Sequence, residues 1–260
     1  MFVNTLKRKL LRGEHCFGVL DSTCSGEIVE MLGYLGFDFV LLDAEHGKLN
    51  QENLEHLIRA AELSGTAPIV RPPVAAPEWI SPMLDRGAWG VYLPHFSTVK
   101  DAEMAVRTCR YAPEGMRGYM PVGRPNRFGY EMSVPEFLRR SNEEMLIIGL
   151  VEDAEGLDNL DDMLKVEGVD AFWIGAGDLS QSMGYLGQAD HPKVVKAMDD
   201  AIRKIVAAGR IAGWAGADYL IPRYMELGAL LFHGLVQGLV KTGAEDYLGR
   251  RRAEIAALEG

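Results

Sequence analysis

The sequence is poor in cysteine, with three residues in 260, at Cys16, Cys24 and Cys109. They form no CxxC pair and no even-numbered set, which excludes a disulfide framework and the common zinc-finger patterns. Free thiols of this kind suit a reducing compartment. We therefore interpret the three cysteines as packing residues.

Long hydrophobic runs are missing as well. No apolar stretch approaches the ~20 residues that a membrane-spanning helix requires. The basic N-terminus, MFVNTLKRKLLRGEH, lacks the apolar h-region and the small-residue cleavage site of a signal peptide. These absences predict a cytoplasmic protein with no membrane partner.

Positive charge is in the minority, because the formal net charge is −10 and the charges are interspersed. Nucleic-acid binding requires a clustered basic surface, so this class of function is excluded. A hydrophobic fraction of 48% with 25% charged residues is that of an ordinary globular protein. A chain of 260 residues can bury one continuous core, and we predict a single domain over residues 1–260.

Short runs rich in Val, Ile and Leu recur along the chain, each followed by an amphipathic segment. This alternation predicts repeated βα units around a parallel sheet, and the lack of polar alternation within the runs is typical of strands covered on both faces. Eight units predict an α/β fold of the (β/α)8 TIM-barrel type. A doubly wound open sheet is the alternative, but no GxGxxG follows the first strand. The eight predicted strands are CFGVLDS, DFVLLDAE, APIVRPP, WGVYLPHF, MLIIGLVED, VDAFWIGAG, RIAGWAG and ALLFHGLVQ.

Two segments depart from this rhythm. Residues 110–137 are rich in Pro, Gly and Arg, and we expect them to form a long loop on the barrel rim. The tail opens with a capping-box pattern, Thr242 and Glu245, which predicts a free-standing amphipathic helix over residues 242–260. Such a helix could pack on a neighbouring subunit.

Polar side chains gather where the predicted strands end, at the face that carries active sites in barrels of this kind. Taken singly, each has a structural explanation, such as a helix cap for Asp178 or a rim ion pair for Arg71. Taken together, they place several acids, an imidazole and a guanidinium at one opening of the barrel, at the carboxyl ends of its strands. We call this opening the mouth. These residues are Asp43, Glu45, His46, Arg71, Glu152 and Asp178.

Carboxylates concentrated in one mouth require a compensating cation. Oxygen ligands from Glu152 and Asp178 suit Mg²⁺ or Mn²⁺. Arg71 offers a planar fork for a substrate carboxylate, and His46 can transfer a proton near neutral pH. The set therefore predicts an anionic oxo-acid substrate.

Six segments, in chain order, resemble the HpcH/HpaI aldolases, which are class II pyruvate aldolases of the 4-hydroxy-2-oxoheptanedioate and 2-dehydro-3-deoxyglucarate type. The resemblance covers roughly residues 5–240, and the ordered set is specific although no single segment is. It implies a (β/α)8 barrel, a C-terminal oligomerisation helix at 242–260 swapped between subunits, and a homohexamer built as a dimer of trimers. The segments are LLDAEHG, IVRPP, MLDRGAWGVYLP, YAPEGMRGY, LVEDAEGLDN and VDAFWIGAGDLSQSMG.

The same resemblance implies an activity and a cofactor. The activity is cleavage of a 4-hydroxy-2-oxo acid to pyruvate and an aldehyde, by way of a metal-stabilised pyruvate enolate and without a lysine Schiff base. The cofactor is a divalent metal cation, Mg²⁺ or Mn²⁺, with Co²⁺ as a further candidate. The partners are thus a small 2-oxo acid and an aldehyde.

By position, the resemblance also implies a role for each residue of the site. The roles are metal ligands for Glu152 and Asp178, pyruvate binding for Arg71, catalytic base for His46, an orienting carboxylate for Asp85, and support from Asp43 and Glu45. Gly177, with Asp178, belongs to the GAGD turn whose N–H groups would face the pyruvate carboxylate.

Two departures from the family pattern keep alternatives open. Leu150 stands where many members have Gln, and Gln237 stands where Asp is expected. One alternative is a citramalyl- or malyl-CoA-type lyase of the same superfamily, whose CoA phosphates would need the arginines of the long loop. The other is a catalytically silent barrel that binds an oxo acid. The loop arginines are Arg117, Arg124 and Arg127.

Overall fold

A computed structural model describes residues 3–259 of the chain. Eight parallel strands form a closed barrel in which each strand pairs with the next and β8 returns to pair with β1. This confirms the predicted (β/α)8 barrel, and each of the eight predicted strands is present. The strands are β1 (Cys16–Asp21), β2 (Phe39–Asp43), β3 (Ala67–Arg71), β4 (Gly90–Leu93), β5 (Leu146–Val151), β6 (Ala171–Gly175), β7 (Ile211–Ala215) and β8 (Leu231–Leu235).

Helices cover the outside of the barrel. The second βα unit shows why they begin and end where they do. The helix α3 starts after Asn50, whose side chain accepts from the backbone of Glu52 and Asn53, and it ends at Gly65 with a left-handed φ of 79°. The helices are α1 (Thr5–Leu11), α2 (Gly26–Tyr34), α3 (Gln51–Ser64), α4 (Pro77–Asp85), α5 (Val99–Cys109), α6 (Val134–Glu144), α7 (Ala154–Met163), α8 (Ala176–Ser182), α9 (Pro192–Ala207), α10 (Ile221–Glu226) and α11 (Val236–Glu259), with 3₁₀ turns at Arg124–Gly129 and Asp218–Leu220.

The core has two layers, one between strands and helices and one inside the barrel. The helix α1 covers the amino end of the barrel, where Leu6 and Leu10 pack with Phe39 and Trp89. The Asn4 side chain donates to the Trp89 carbonyl at 2.9 Å. The basic N-terminal segment therefore covers one end of the barrel, and the polar residues lie at the other end.

The predicted long loop of residues 110–137 lies at the amino end of the barrel, and its last residues, from Val134, begin α6. The helix α5 descends from the carboxyl end of β4, and β5 starts at the amino end, so the chain between them lies across the amino end. The Arg124 side chain pairs with Glu62 there and donates to the Arg86 carbonyl. The long loop therefore lies at the opposite end of the barrel from the strand-end acids.

The predicted start of the C-terminal helix is wrong. The helix α11 begins at Val236, directly after β8, so Thr242 lies inside the helix and does not cap it. The side chains of residues 237–258 are exposed, which agrees with a helix that stands away from its own barrel. Gly260 lies outside the described residues. Among residues 3–259, no helix is both long enough and apolar enough to cross a membrane.

Candidate active site

The pairing of β2 with β3 builds the first part of the site, because its register sets Asp43 opposite Arg71. Arg71 donates from Nε to Asp43 Oδ1 at 2.8 Å and from Nη2 to Oδ2 at 2.7 Å. Both residues are buried. Burial alone would raise the pKa of Asp43, but the hydrogen bonds and charge of Arg71 outweigh it and hold that pKa below its usual range. The Asp43–Arg71 pair is therefore ionised and held in place by two hydrogen bonds. The third guanidinium nitrogen, Arg71 Nη1, does not take part in them.

Glu45 and His46 follow β2 and extend this pair toward solvent. Glu45 Oε2 lies 3.2 Å from Arg71 Nη1 and 3.9 Å from His46 Nε2. The backbone N–H groups of Glu45 and His46 both donate to Asp43 Oδ1, which orients the turn after the strand. The Glu45 side chain is largely buried, whereas that of His46 is 68% exposed. The imidazole of His46 is thus open to an incoming molecule.

Glu152 follows β5 and builds the second part of the site. It is buried, and burial raises the pKa of its carboxyl group above the ordinary value, with a smaller contribution from the negative charge of Asp178. Asp178 lies in the first turn of α8, whose N-cap residue is Gly175, and Gly177 precedes it. Both Gly177 and Asp178 are exposed. Glu152 and Asp178 therefore share one region of the mouth, as the sequence predicted.

These two carboxylates form the candidate metal-binding set. Within residues 3–259, no cluster of three or more His, Cys, Asp or Glu side chains is arranged to hold a metal ion. Mg²⁺ is commonly held by one or two carboxylates, with water and substrate oxygens completing its shell. Two nearby acids, one of them buried with a raised pKa, fit an ion of this kind.

His95, at the end of β4, is a residue of the site that sequence reasoning missed. Its backbone N–H donates to Glu152 Oε1 at 2.9 Å, and its ring lies 3.4 Å from the same oxygen through Nδ1. Its Nε2 lies 3.6 Å from Glu45 Oε1. Its position was the available signal, because it lies near the carboxyl end of a predicted strand as Glu45, Arg71 and Glu152 do.

An apolar and aromatic floor lies beneath these charges. The ring of His233 lies 4.9 Å from that of Trp173 and 6.2 Å from that of Tyr92, measured between centroids. Burial lowers the pKa of His233 to about 4, so its imidazole is neutral near neutral pH. Leu150 is buried in the same barrel interior. The departure at Leu150 therefore places an apolar side chain in the floor of the site.

The other departure, Gln237, lies in the first turn of α11. Its side-chain amide donates to Ser22 Oγ at 2.8 Å, just after β1. This contact ties the start of α11 to the neighbouring strand end. Gln237 therefore has a structural role in the chain as described.

Asp85 is not brought to the mouth by its own chain. It ends α4 at the amino end of the barrel, where it accepts from Arg117 Nη2 at 2.9 Å. Among residues 3–259, no contact of Asp85 supports its predicted role of orienting His46. The three arginines suggested for CoA phosphates also lie at that end and pair with acids: Arg117 with Asp85, Arg124 with Glu62 and Arg127 with Glu131.

Comparisons with known proteins agree with this geometry. The HpcH/HpaI aldolase/citrate lyase family model matches residues 22–237. The 4-hydroxy-2-oxo-heptane-1,7-dioate aldolase of Klebsiella pneumoniae subsp. pneumoniae is 36% identical over 250 residues, covering 95% of this chain and 93% of that protein. The hydroxypyruvate/pyruvate aldolase of Pseudomonas aeruginosa is 36% identical over 251 residues, covering 95% and 92%.

Among solved structures, an HpcH/HpaI aldolase/citrate lyase family protein from Burkholderia cenocepacia J2315 superposes with a TM-score of 0.89 at 29% identity, covering 96% of this chain and all (100%) of that one. These relatives confirm the predicted aldolase, and neither the CoA-thioester lyase nor the silent barrel is favoured. From its closed barrel, its strand-end residues and these matches, we conclude that the chain is an aldolase and belongs to the HpcH/HpaI aldolase/citrate lyase family.

Proposed function

We propose that the protein is a divalent-metal-dependent class II aldolase that cleaves a 4-hydroxy-2-oxo acid to pyruvate and an aldehyde. One observation carries the proposal: a single mouth holds a rigid guanidinium, an exposed imidazole and a buried carboxylate with a raised pKa. These groups belong to Arg71, His46 and Glu152. Relatives named as aldolases of 4-hydroxy-2-oxo-heptane-1,7-dioate and of 5-keto-4-deoxy-D-glucarate support the substrate class.

Arg71 binds the carboxylate end of the substrate in this proposal. Asp43 engages two of its nitrogens, so the guanidinium is held in place before the substrate arrives. The remaining nitrogen, Nη1, faces Glu45 at the mouth and can donate to the substrate. Preorganisation of this kind lowers the cost of binding, and the positive charge offsets the negative charge that develops on the oxo-acid half. The backbone N–H of Gly177 is a second donor for the same carboxylate.

Glu152 and Asp178 would hold the divalent cation, for which Mg²⁺ and Mn²⁺ are the first candidates and Co²⁺ a third. When bound, the cation would supply Lewis-acid polarisation of the 2-oxo group. The raised pKa of Glu152 supports this assignment, since burial and the nearby charge of Asp178 both disfavour its ionised form. A cation beside the two carboxylates would reverse that effect.

His46 takes the proton from the 4-hydroxyl group. As that proton leaves, the C3–C4 bond breaks and the C4 carbon becomes the aldehyde. The electron pair of the broken bond passes to the oxo-acid half, which takes up a proton at C3 to become pyruvate. His46 suits this role because its ring is 68% exposed at the mouth, with its Nε2 3.9 Å from Glu45 Oε2.

Assembly belongs to the same proposal. A cavity of about 530 Å³ lies beside β1, β8 and the start of α11, lined by apolar residues that include Phe17, Phe37 and Phe232. With α11 exposed along most of its length, an exchange of this helix between subunits of a hexamer, a dimer of trimers, would cover both surfaces. Asp85 could then orient His46 only across a subunit boundary. We expect removal of residues 242–260 to lower the molar mass measured by light scattering, and an unchanged mass would refute the exchange.

The cytoplasmic location stays a prediction from the sequence.

The experiment that tests the activity follows exchange of the methyl protons of pyruvate in deuterated water by NMR. We expect wild-type exchange to require Mg²⁺ or Mn²⁺, and to disappear in Glu152→Ala. The matched control is Glu155→Ala, which removes an exposed glutamate from the first turn of α7. Absence of exchange in the wild type with every divalent cation would overturn the proposal. A positive result permits a screen of 4-hydroxy-2-oxo acids for the aldehyde half.

A further inference from the structure

His95 has a backbone conformation that is uncommon for residues other than glycine. It follows the last strand residue of β4 by two positions and has a φ of 52°, in the left-handed region. For a residue other than glycine this conformation costs energy, and such residues concentrate where a site requires a particular backbone direction. Here that direction points the N–H of His95 at Glu152 Oε1, 2.9 Å away.

His95 engages only one oxygen of Glu152. Its backbone N–H and its ring Nδ1 both lie against Oε1. The other oxygen, Oε2, faces β6 and lies 3.5 Å from the point where a Cβ on Gly175 would be. His95 thus leaves free the oxygen that faces the end of β6, from which the chain enters α8 with Asp178 in its first turn.

The opposite edge of the His95 ring reaches the other part of the site. Its Nε2 lies 3.6 Å from Glu45 Oε1, and Glu45 Oε2 lies 3.2 Å from Arg71 Nη1. His95 thus joins two groups of charges, one on β2 and β3 and one on β5. Its side chain is 72% exposed, so these polar contacts, more than packing, set the position of the ring.

We infer that His95 is a positioning residue whose imidazole, beside the backbone N–H, holds Oε1 of Glu152 so that Oε2 is presented to the divalent cation, and couples that carboxylate to Glu45 and Arg71. The inference rests on the metal-dependent function proposed above. Hydrogen-bond partners of metal-binding carboxylates orient them, and loss of such a partner typically weakens metal binding by ~10–100-fold. Because the ring is exposed, its loss should leave the barrel folded.

The test uses the full-length protein and the variant His95→Asn. Asparagine tolerates a left-handed φ better than most residues and keeps the backbone N–H, so the variant removes chiefly the imidazole. The matched control is His56→Asn, on the exposed face of α3. Two quantities are measured: the Kd for Mn²⁺, by EPR titration of free Mn²⁺, and the denaturation midpoint in EDTA. We expect Mn²⁺ to bind ~10–100-fold more weakly to His95→Asn, with an unchanged midpoint and a wild-type Kd in the control.

The outcomes separate this inference from the proposed function. If the wild type binds Mn²⁺ and exchanges pyruvate protons, and His95→Asn binds Mn²⁺ as tightly, the positioning role is wrong and the proposed function stands. A lower midpoint in EDTA with an unchanged Kd would show a purely structural role and would also overturn the inference. A wild type that neither binds Mn²⁺ nor exchanges protons would overturn both.

Discussion

Two buried carboxylates at strand ends of the same barrel have pKa values shifted in opposite directions. Asp43 on β2 is 1% exposed and Glu152 after β5 is 5% exposed, so burial disfavours the charged form of both. Arg71 reverses that effect for Asp43 and lowers its pKa, whereas the negative charge of Asp178 adds to it for Glu152 and the pKa rises. Burial acts on both carboxylates in the same direction, so the arginine partner of Asp43 accounts for the opposite signs.

The comparison assigns different functions to two parts of the mouth. On β2 and β3 the charges are compensated within the chain, which suits a rigid binding surface. On β5 and β6 the carboxylates lack an arginine or lysine partner among their described contacts, which suits capture of a cation. Four changes test this division, ordered from the largest expected effect to the smallest.

Removal of the guanidinium should have the largest effect. In Arg71→Ala, Asp43 would remain buried without its partner, and we expect the free energy of unfolding to fall by about 3–5 kcal/mol. Urea denaturation measures this loss. The double variant Asp43→Asn with Arg71→Ala should regain part of the stability but none of the activity. A loss below ~1 kcal/mol for Arg71→Ala would contradict the assignment of a buried, mutually dependent pair.

Addition of a cation should stabilise the other part of the mouth. At 100 times its Kd, Mn²⁺ should raise the free energy of unfolding by about 2.7 kcal/mol, because it binds the folded chain. Thermal unfolding with and without Mn²⁺ measures the effect. The gain should vanish in Glu152→Ala and persist in Glu155→Ala. An equal gain in both variants would place the cation elsewhere.

Substitution of the floor residue should have a moderate effect. Leu150→Gln would bury an amide among apolar side chains, and we expect a loss of about 1–3 kcal/mol in the free energy of unfolding. Leu150→Met, which conserves volume, is the control and should cost less than about 1.5 kcal/mol. If Leu150→Gln were as stable as the wild type, the amide would have found a polar partner, and the floor would not be apolar.

A change of pH should have the smallest effects on the free energy of unfolding, and these effects should have opposite signs for Asp43 and for Glu152. The lowered pKa of Asp43 contributes stability that is present above the ordinary Asp value of ~3.9 and is lost as the pH falls through the lowered value. The raised pKa of Glu152 contributes stability that is present below the ordinary Glu value of ~4.3 and is lost as the pH rises through the raised one.

Denaturation in EDTA, measured from acid to neutral pH, checks both signs. Relative to the wild type, Asp43→Asn should be least stable near neutral pH, and the difference should narrow in acid. Glu152→Gln should be more stable than the wild type above the raised pKa, with the difference disappearing in acid. Parallel pH profiles for the two variants would show that the two carboxylates do not differ as described.

The architecture and most of the site were predictable from local patterns. The eight strands are short apolar runs separated by amphipathic helices, and both signals lie within a few residues of one another. Because a βα barrel collects its strand ends at one face, Asp43, Arg71, Glu152 and Asp178 could be assigned to one mouth before their distances were known. Leu150 could likewise be recognised as a departure from the family pattern.

Tertiary structure alone decided where the C-terminal helix starts, where residues 110–137 lie and where Asp85 lies. The predicted helix start at Thr242 was wrong because residues 236–241 have weak local signals and continue the helix from β8. The placement of residues 110–137 depended on the direction of α5, which leads the chain to the amino end. The position of Asp85 depended in the same way on the direction of α4. This helix starts after β3 and ends with Asp85 at the amino end of the barrel, away from the mouth.

The sequence by itself thus determined the fold class, the family and the chemical character of the mouth, because these depend on residue types and short spacings. Which charged side chains contact one another was decided only when the strands paired to form the barrel. His95 meets Glu152 across 57 residues, and Arg71 meets Asp43 across 28, through strand register and a left-handed backbone. Contacts of this range depend on how whole strands pair, and no local pattern encodes them.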